Sequence, residues 1–350
     1  MTDARSLVLS AFAKQVEWCV RLGSPFTASL LRLLADDIAT GGVTAMVVAD
    51  WPGDPLSDAL PLRLAGALHA LVLKGLAPNL ADVYPPHPTT EVRLRAAALQ
   101  ALRAHETFVA TFLQSPPQTN EVGRAGVLVG GFLTIAANTG LPLRLLEIGA
   151  SAGLNSVWDL FHYRLGGAEW GDPSSLVHLT PIWHGAIPPV SAAMGIVERR
   201  ACDRAPIDIA DPDQRLRLKA YVWPDQTDRL ARLDGALTLA LRHGIRVETA
   251  DAADWVQARL AEPAIACATV LFHSIMWQYM PAPTQATIAD TLARAGDGAS
   301  ETAPLAWLRF EPAEGTMQLR LKLWPGGEDR LLAEAQPHGS EISWLPDSKD

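Results

Sequence analysis

The sequence predicts an α/β protein: an all-helical domain over residues 1–140, then a mostly parallel sheet flanked by helices over residues 141–350. Three observations carry this. The first 140 residues hold helically spaced apolar positions and no strand series. From residue 143 onward, apolar runs of strand length alternate with helical patterns, the signature of parallel strands joined by crossovers. The two regimes meet at Leu143–Asn155 (LRLLEIGASAGLN), where an apolar run ends in Glu147-Ile148-Gly149 and passes into Ala150, Ser151, Ala152 and Gly153. That stretch reads as a buried strand entering a tight turn that opens a helix.

In the first half, Ala11–Leu22 sets Phe12, Val16, Cys19 and Val20 at helical spacing. Ser24-Pro25 supplies an N-cap and a first-turn proline for Phe26–Ala39, which Gly41-Gly42 ends. Pro61–Leu73 is a third apolar helix. Tyr84-Pro85-Pro86-His87-Pro88 is excluded from helix by its prolines. Thr89 or Thr90 caps a long helix to about Leu113, with Glu91 in its first turn. After Ser115-Pro116-Pro117, Asn120–Asn138 is helical again.

The second half begins with a helix predicted over Gly153–Leu165. Residues 166–194, rich in Gly, Pro and Trp, read as an inserted hairpin or flap. Further strands are predicted at Gly195–Asp203, Ile245–Ala250, Ala268–His273 and Leu305–Glu311. Met317–Trp324 and Glu341–Trp344 are read as a closing antiparallel pair, giving seven strands. Helices fall between them: a charged one after Asp211, Gln226–His243, Ala253–Leu260, and one opened by Pro281 and Pro283.

Bulk composition narrows the function classes. A chain of 350 residues, 49% hydrophobic and 19% charged, can bury a large core. A net charge of −9 excludes a broad basic nucleic-acid surface. Cys19, Cys202 and Cys267 show no CxxC spacing, which points away from a disulfide framework or a zinc site and toward a reducing cytoplasm. The N-terminus lacks a signal-peptide core, and Val127–Ala137, the most apolar stretch, falls short of the ~18 residues of a membrane span. The expectation is a cytoplasmic protein with a small-molecule substrate, no membrane and no metal; the oligomeric state is left open.

Two templates fit the turn after the first strand. Gly149-x-Ser151-x-Gly153 matches the nucleophile elbow of α/β-hydrolases, but only helices precede it and no oxyanion loop does. Glu147-x-Gly149-x-x-x-Gly153 resembles the first motif of class I S-adenosylmethionine-dependent methyltransferases. A dinucleotide fingerprint would need glycine where Ser151 and Leu154 stand. Further motifs extend the likeness: CDRAPIDIADPDQRLRLKAYVWPDQ, VLFHSIMWQYMP, APLAWLRFEP and LWPGG…PHG. On these the chain is identified as a member of an uncharacterised bacterial family, domain of unknown function 2332, across nearly its full length.

The resemblance implies a Rossmann-like methyltransferase-type sheet and S-adenosylmethionine as cofactor. It places the cofactor's amino acid end at Glu147, Gly149, Ala150, Ser151, Gly153 and Asn155, the ribose at Asp203, and the adenine at Asp251 and Ala252. His273 takes the position of a catalytic base. Ser274, Trp277, Gln278, Glu311 and His338 would face the substrate, with Tyr84 and His87 closing the acceptor site from the proline loop. The chain departs from the pattern in three ways. Ser151 replaces the middle glycine, Asp203 lies much farther from Gly149 than the usual ~20 residues, and no Asn-Pro-Pro-Tyr box follows the fourth strand. Each acid also has a structural alternative: Glu147 as a buried cap, Asp251 as the N-cap of the following helix, His273 as a hydrogen-bonded core residue. Two other functions stay open: a non-catalytic nucleoside-binding protein of the same fold and, less favoured, a serine hydrolase using Ser151.

Overall fold

The computed structural model describes residues 4–48 and 51–346. The chain divides into two compact units: residues 1–119 with 211–231, and residues 120–210 with 232–350. This differs from the expected boundary at 140 in two places, each with a packing reason.

The first unit is helical: Ala4–Arg21, Pro25–Ala39, Val43–Val48, Leu60–Leu73, Pro78–Ala81, Glu91–Ala104 and Glu106–Leu113, joined by Pro212–Ala220 from later in the chain. Phe12, Leu31, Leu34, Leu64, Leu68 and Leu71 form its core. The predicted long helix to Leu113 is two helices, parted at His105, whose φ of −127° and ψ of 34° are not helical. Thr90 is its N-cap, accepting from the Arg93 N–H at 3.3 Å. The Ser24 hydroxyl does not cap the second helix. It donates to Asp225, whose other oxygen accepts the Phe26 N–H at 2.9 Å. Asp225 therefore caps that helix from two hundred residues away. With the Arg217 guanidinium 4.2 Å above the Phe112 ring, this fixes residues 211–231 to the helical unit.

Among the described residues the second unit contains all the strands: β1 (Leu143–Ile148), β2 (His162–Leu165), β3 (Ala168–Trp170), β4 (His178–Leu179), β5 (Ile182–Gly185), β6 (Ile196–Asp203), β7 (Glu248–Thr249), β8 (Ala268–Ser274), β9 (Leu305–Ala313), β10 (Thr316–Trp324), β11 (Glu328–Ala335) and β12 (Glu341–Trp344). One nine-stranded sheet runs β5-β12-β11-β10-β9-β8-β1-β6-β7, and a small one runs β3-β2-β4. β7, β6, β1, β8 and β9 are mutually parallel. From β9 the chain turns into an antiparallel meander through β12, and β5 pairs parallel with β12 at the edge. The class is α/β with a large mixed sheet.

Helix Ala125–Thr139 belongs to this unit, not to the helical one. Gly130 and Gly131 let it lie directly on the sheet: a Cβ would come within 2.3 Å of Trp344 at the first and 2.4 Å of Leu308 at the second. Extended by the 3-10 turn Val122–Arg124, the stretch Val122–Thr139 is long and apolar enough to cross a membrane, yet 78% of it is buried inside the protein.

The sheet has nine strands, not seven, because two lay outside the expectation. β11 is charge-rich and carries a weak alternation, and β5 was folded into the presumed flap. Consequently Met317–Trp324 and Glu341–Trp344 do not pair; β11 lies between them. The predicted helix Gly153–Leu165 is also absent. A 3-10 turn, Leu154–Leu160, kinks at Val157 and gives way to β2. Trp158 stacks on Phe132, with ring centroids 4.2 Å apart, and the packing of that large aromatic decides the local path.

Candidate functional site

β1 lies between β6 and β8, the two strands reached by leaving it in opposite directions. Strand order reverses there, and ligands of such sheets bind beyond the carboxyl ends at that point. The loop leaving β1 has three residues at positive φ: Gly149 (64°), Ser151 (56°) and Gly153 (71°). For Ser151 this conformation costs on the order of 1 kcal/mol. Asp203 at the end of β6 holds it in place. One carboxylate oxygen accepts the Ser151 N–H at 2.9 Å and the other accepts the Ala205 N–H at 2.9 Å. The Ser151 carbonyl in turn accepts the Ile207 N–H.

A cleft of about 320 Å³ opens beyond β1, β6 and β7. Gly149, Asp203, Asp251 and Ala252 line it, together with Cys202, Arg204 and the apolar wall of Met276, Met280 and Pro281. Tyr279 and Thr284 complete its lining. Asp251 accepts the Ala253 N–H at 2.9 Å, so it is the N-cap of helix Ala252–Leu260 as well as a cleft acid. Burial, and then the Asp203 charge, push the Cys202 thiol far above its ordinary range, so it is no nucleophile at neutral pH.

The wall is anchored from behind by a polar cluster. His273 is fully buried. Its Nδ1 lies 2.6 Å from a Glu311 oxygen, and its Nε2 lies 3.1 Å from the Trp307 indole nitrogen. Indole only donates, so Nε2 is the acceptor and the proton sits on Nδ1, donated to Glu311. The Trp277 ring stacks on the imidazole with centroids 5.0 Å apart. The same Glu311 oxygen accepts the Met276 and Trp277 N–H groups at 3.1 and 3.3 Å. Met276 in turn fills the space left by the missing side chain of Gly149, where a Cβ would meet Met276 atoms at 2.7 Å.

A family model described as "Uncharacterized protein conserved in bacteria (DUF2332)" matches residues 10–344. The chain belongs to that family. No curated protein and no solved structure matches it.

In this family member the sequence-predicted residues fall into three groups. Gly149, Asp203, Asp251 and Ala252 meet at the cleft. Glu147, Ala150, Ser151, Gly153 and Asn155 are buried behind it. The Glu147 carboxyl group accepts from the Ser156 hydroxyl; burial raises its pKa to about 8, against the pull of that hydrogen bond and with a further push from Asp203. The Ser151 hydroxyl, the Asn155 carbonyl oxygen and the second Glu311 oxygen are buried without a hydrogen-bond partner. The Ser151 hydroxyl has no imidazole partner.

The third group lies elsewhere or is otherwise engaged. His273, expected as a base, has both ring nitrogens committed, and Glu311, expected at the substrate, is its partner. Ser274 is half-buried and its carbonyl accepts from Arg124 at 3.1 Å. Trp277 packs on His273, Gln278 is exposed, and His338 sits in the turn before β12 with its carbonyl against Gly123. Tyr84 is core of the helical unit, edge-on to Phe26 with centroids 4.8 Å apart, and His87 is exposed on the proline loop. Sequence reasoning missed Arg204, Met276, Met280 and Thr284 as lining residues. It also missed Asn120, which accepts the Leu154 N–H at 2.9 Å. The signal for Arg204 and Met276 was position alone: Arg204 directly follows β6, and Met276 lies two residues past the end of β8.

Proposed function

We propose that the sheet unit binds an adenine nucleoside cofactor, S-adenosylmethionine, in this cleft and transfers its methyl group to a small molecule. The observation that carries the reading is the cleft's composition at the point of strand reversal: two carboxylates at the ends of successive strands facing an apolar wall. Asp203 is held by two backbone N–H groups, yet each of its oxygens keeps a further lone pair for a ribose hydroxyl. Met276, Met280 and Pro281 suit a flat base. When bound, the cofactor supplies an electrophilic methyl group on a sulfonium. The chain's part is to orient the acceptor and exclude water.

The locked His273 favours a second reading, binding without catalysis, because no free imidazole stands at the cleft. A thermal-shift screen with S-adenosylmethionine, S-adenosylhomocysteine and adenosine tests the shared step. A ligand bound at 100 times its Kd should add about 2.7 kcal/mol of stability. Failure of all three to shift the transition rules out both readings. Methyl transfer from labelled cofactor to a panel of small-molecule acceptors separates the first from the second.

A further inference from the structure

The small sheet β3-β2-β4 contributes nothing to the cleft, but it brings two histidines together. β2 and β4 run parallel with His162 directly opposite His178, so both side chains leave the same face. Their Nδ1 atoms stand 3.2 Å apart. His162 is enclosed, 7% exposed, while His178 is open to solvent. On its far side the His162 ring turns Nε2 toward a Glu169 carboxylate oxygen, 3.8 Å away. Asp172, on the turn before β4, is held below the usual carboxylate range by hydrogen bonds from Ser174 first and by the nearby His162 last.

Two imidazole nitrogens aimed at each other can share a proton or a metal ion. A tetrahedral ion with bonds of about 2.0–2.1 Å sets its nitrogen ligands about 3.3–3.4 Å apart, close to the spacing already present. We propose that His162 and His178 form a binding site for a divalent transition-metal ion of the zinc, nickel and copper group. In the metal-free pair one Nδ1 carries hydrogen and the other accepts it. Binding takes both Nδ1 lone pairs, so that hydrogen moves to Nε2 of its own ring and no proton is lost. The His162 Nε2–H then faces Glu169, the carboxylate–histidine–metal arrangement that fixes a ligand's tautomer and raises its basicity.

Among the described residues no group of three or more His, Cys, Asp or Glu side chains encloses an ion. The remaining coordination positions are therefore taken by water on the open His178 side. Imidazole ligands select this group of ions over magnesium and calcium. The ion would clip β2 to β4 across the exposed turn between β3 and β4.

Calorimetric titration of Zn²⁺ into tag-free full-length protein tests the site. Wild type and His243→Ala, an exposed histidine elsewhere, should each take one ion saturably. His178→Ala, a solvent-facing change that leaves the core intact, should bind at least about tenfold more weakly. Glu169→Gln should also lose about tenfold, the usual scale for an outer-shell partner. Equal affinity and stoichiometry in wild type and His178→Ala, or no saturable binding in wild type, would overturn the proposal.

Discussion

Replacing Glu147 by Gln should make the protein more stable at neutral and alkaline pH and flatten its pH dependence. Glu147 is 3% exposed at the end of the central strand, and burial raises its carboxyl from 4.5 to about 8. The folded state therefore holds a proton that the unfolded chain releases once pH passes 4.5. Because the folded pKa is the raised one, the full stability exists below about pH 4.5 and declines as pH rises, reaching a plateau above about 8. Each pKa unit is worth about 1.4 kcal/mol, so the decline totals about 5 kcal/mol as an upper bound, less any relaxation around the charge. Glutamine keeps the shape and can still accept from the Ser156 hydroxyl, but it has no proton to lose. Urea unfolding at pH 5, 6, 7 and 8 should show wild-type stability falling across the series, with Glu147→Gln level against it and the gap widest at pH 8. Parallel curves for the two proteins would refute the reasoning.

Three further outcomes follow from the same neighbourhood. Glu311→Ala removes the acceptor for the His273 ring and two backbone N–H groups and should cost at least about 3 kcal/mol by urea unfolding, since each buried unpaired group costs about 1–3; a loss below about 0.5 kcal/mol would show that the cluster does not anchor the wall. Gly149→Ala forces a Cβ to 2.7 Å from Met276 at a φ of 64° and should lower stability by at least about 1 kcal/mol, with Met276→Ala relieving part of it; an additive double variant would contradict the contact. Ser151 should remain unlabelled by a fluorophosphonate probe, because its hydroxyl is buried and hydrogen-bonded to no base; stoichiometric labelling would support the hydrolase reading.

The parallel half of the sheet was legible because β1, β8 and β9 are rich in apolar residues and β6, though charged in its middle, is marked by Gly195 before it and Asp203 at its end; all four fall close to where the pattern put them. The turn after β1 was legible for the same reason: small residues mark the place where the backbone must adopt positive φ. The failures are tertiary in origin. Trp158 packing on Phe132 replaces the expected helix by a kinked turn and a second sheet, a choice that local periodicity does not record. The unit boundary depends on Asp225 capping a helix near the N-terminus, a pairing invisible to any local window. In the site, the strand-end positions of Asp203 and Asp251 were legible, and both residues line the cleft. The role of His273 was not readable, because its two partners, Trp307 and Glu311, come from the neighbouring strand in register.

Whether the cleft beyond β1, β6 and β7 takes the nucleoside is decided by calorimetry. Calorimetric titration of S-adenosylhomocysteine should give one-to-one binding to wild type. Asp251→Ala, which removes a carboxylate at the cleft, should weaken it about tenfold, equivalent to about 1.4 kcal/mol. Thr284→Trp, which places a bulky ring on the cleft lining, should abolish binding while leaving the fold intact by circular dichroism. Unchanged binding in both folded variants would place the ligand elsewhere and contradict nucleoside binding in this cleft.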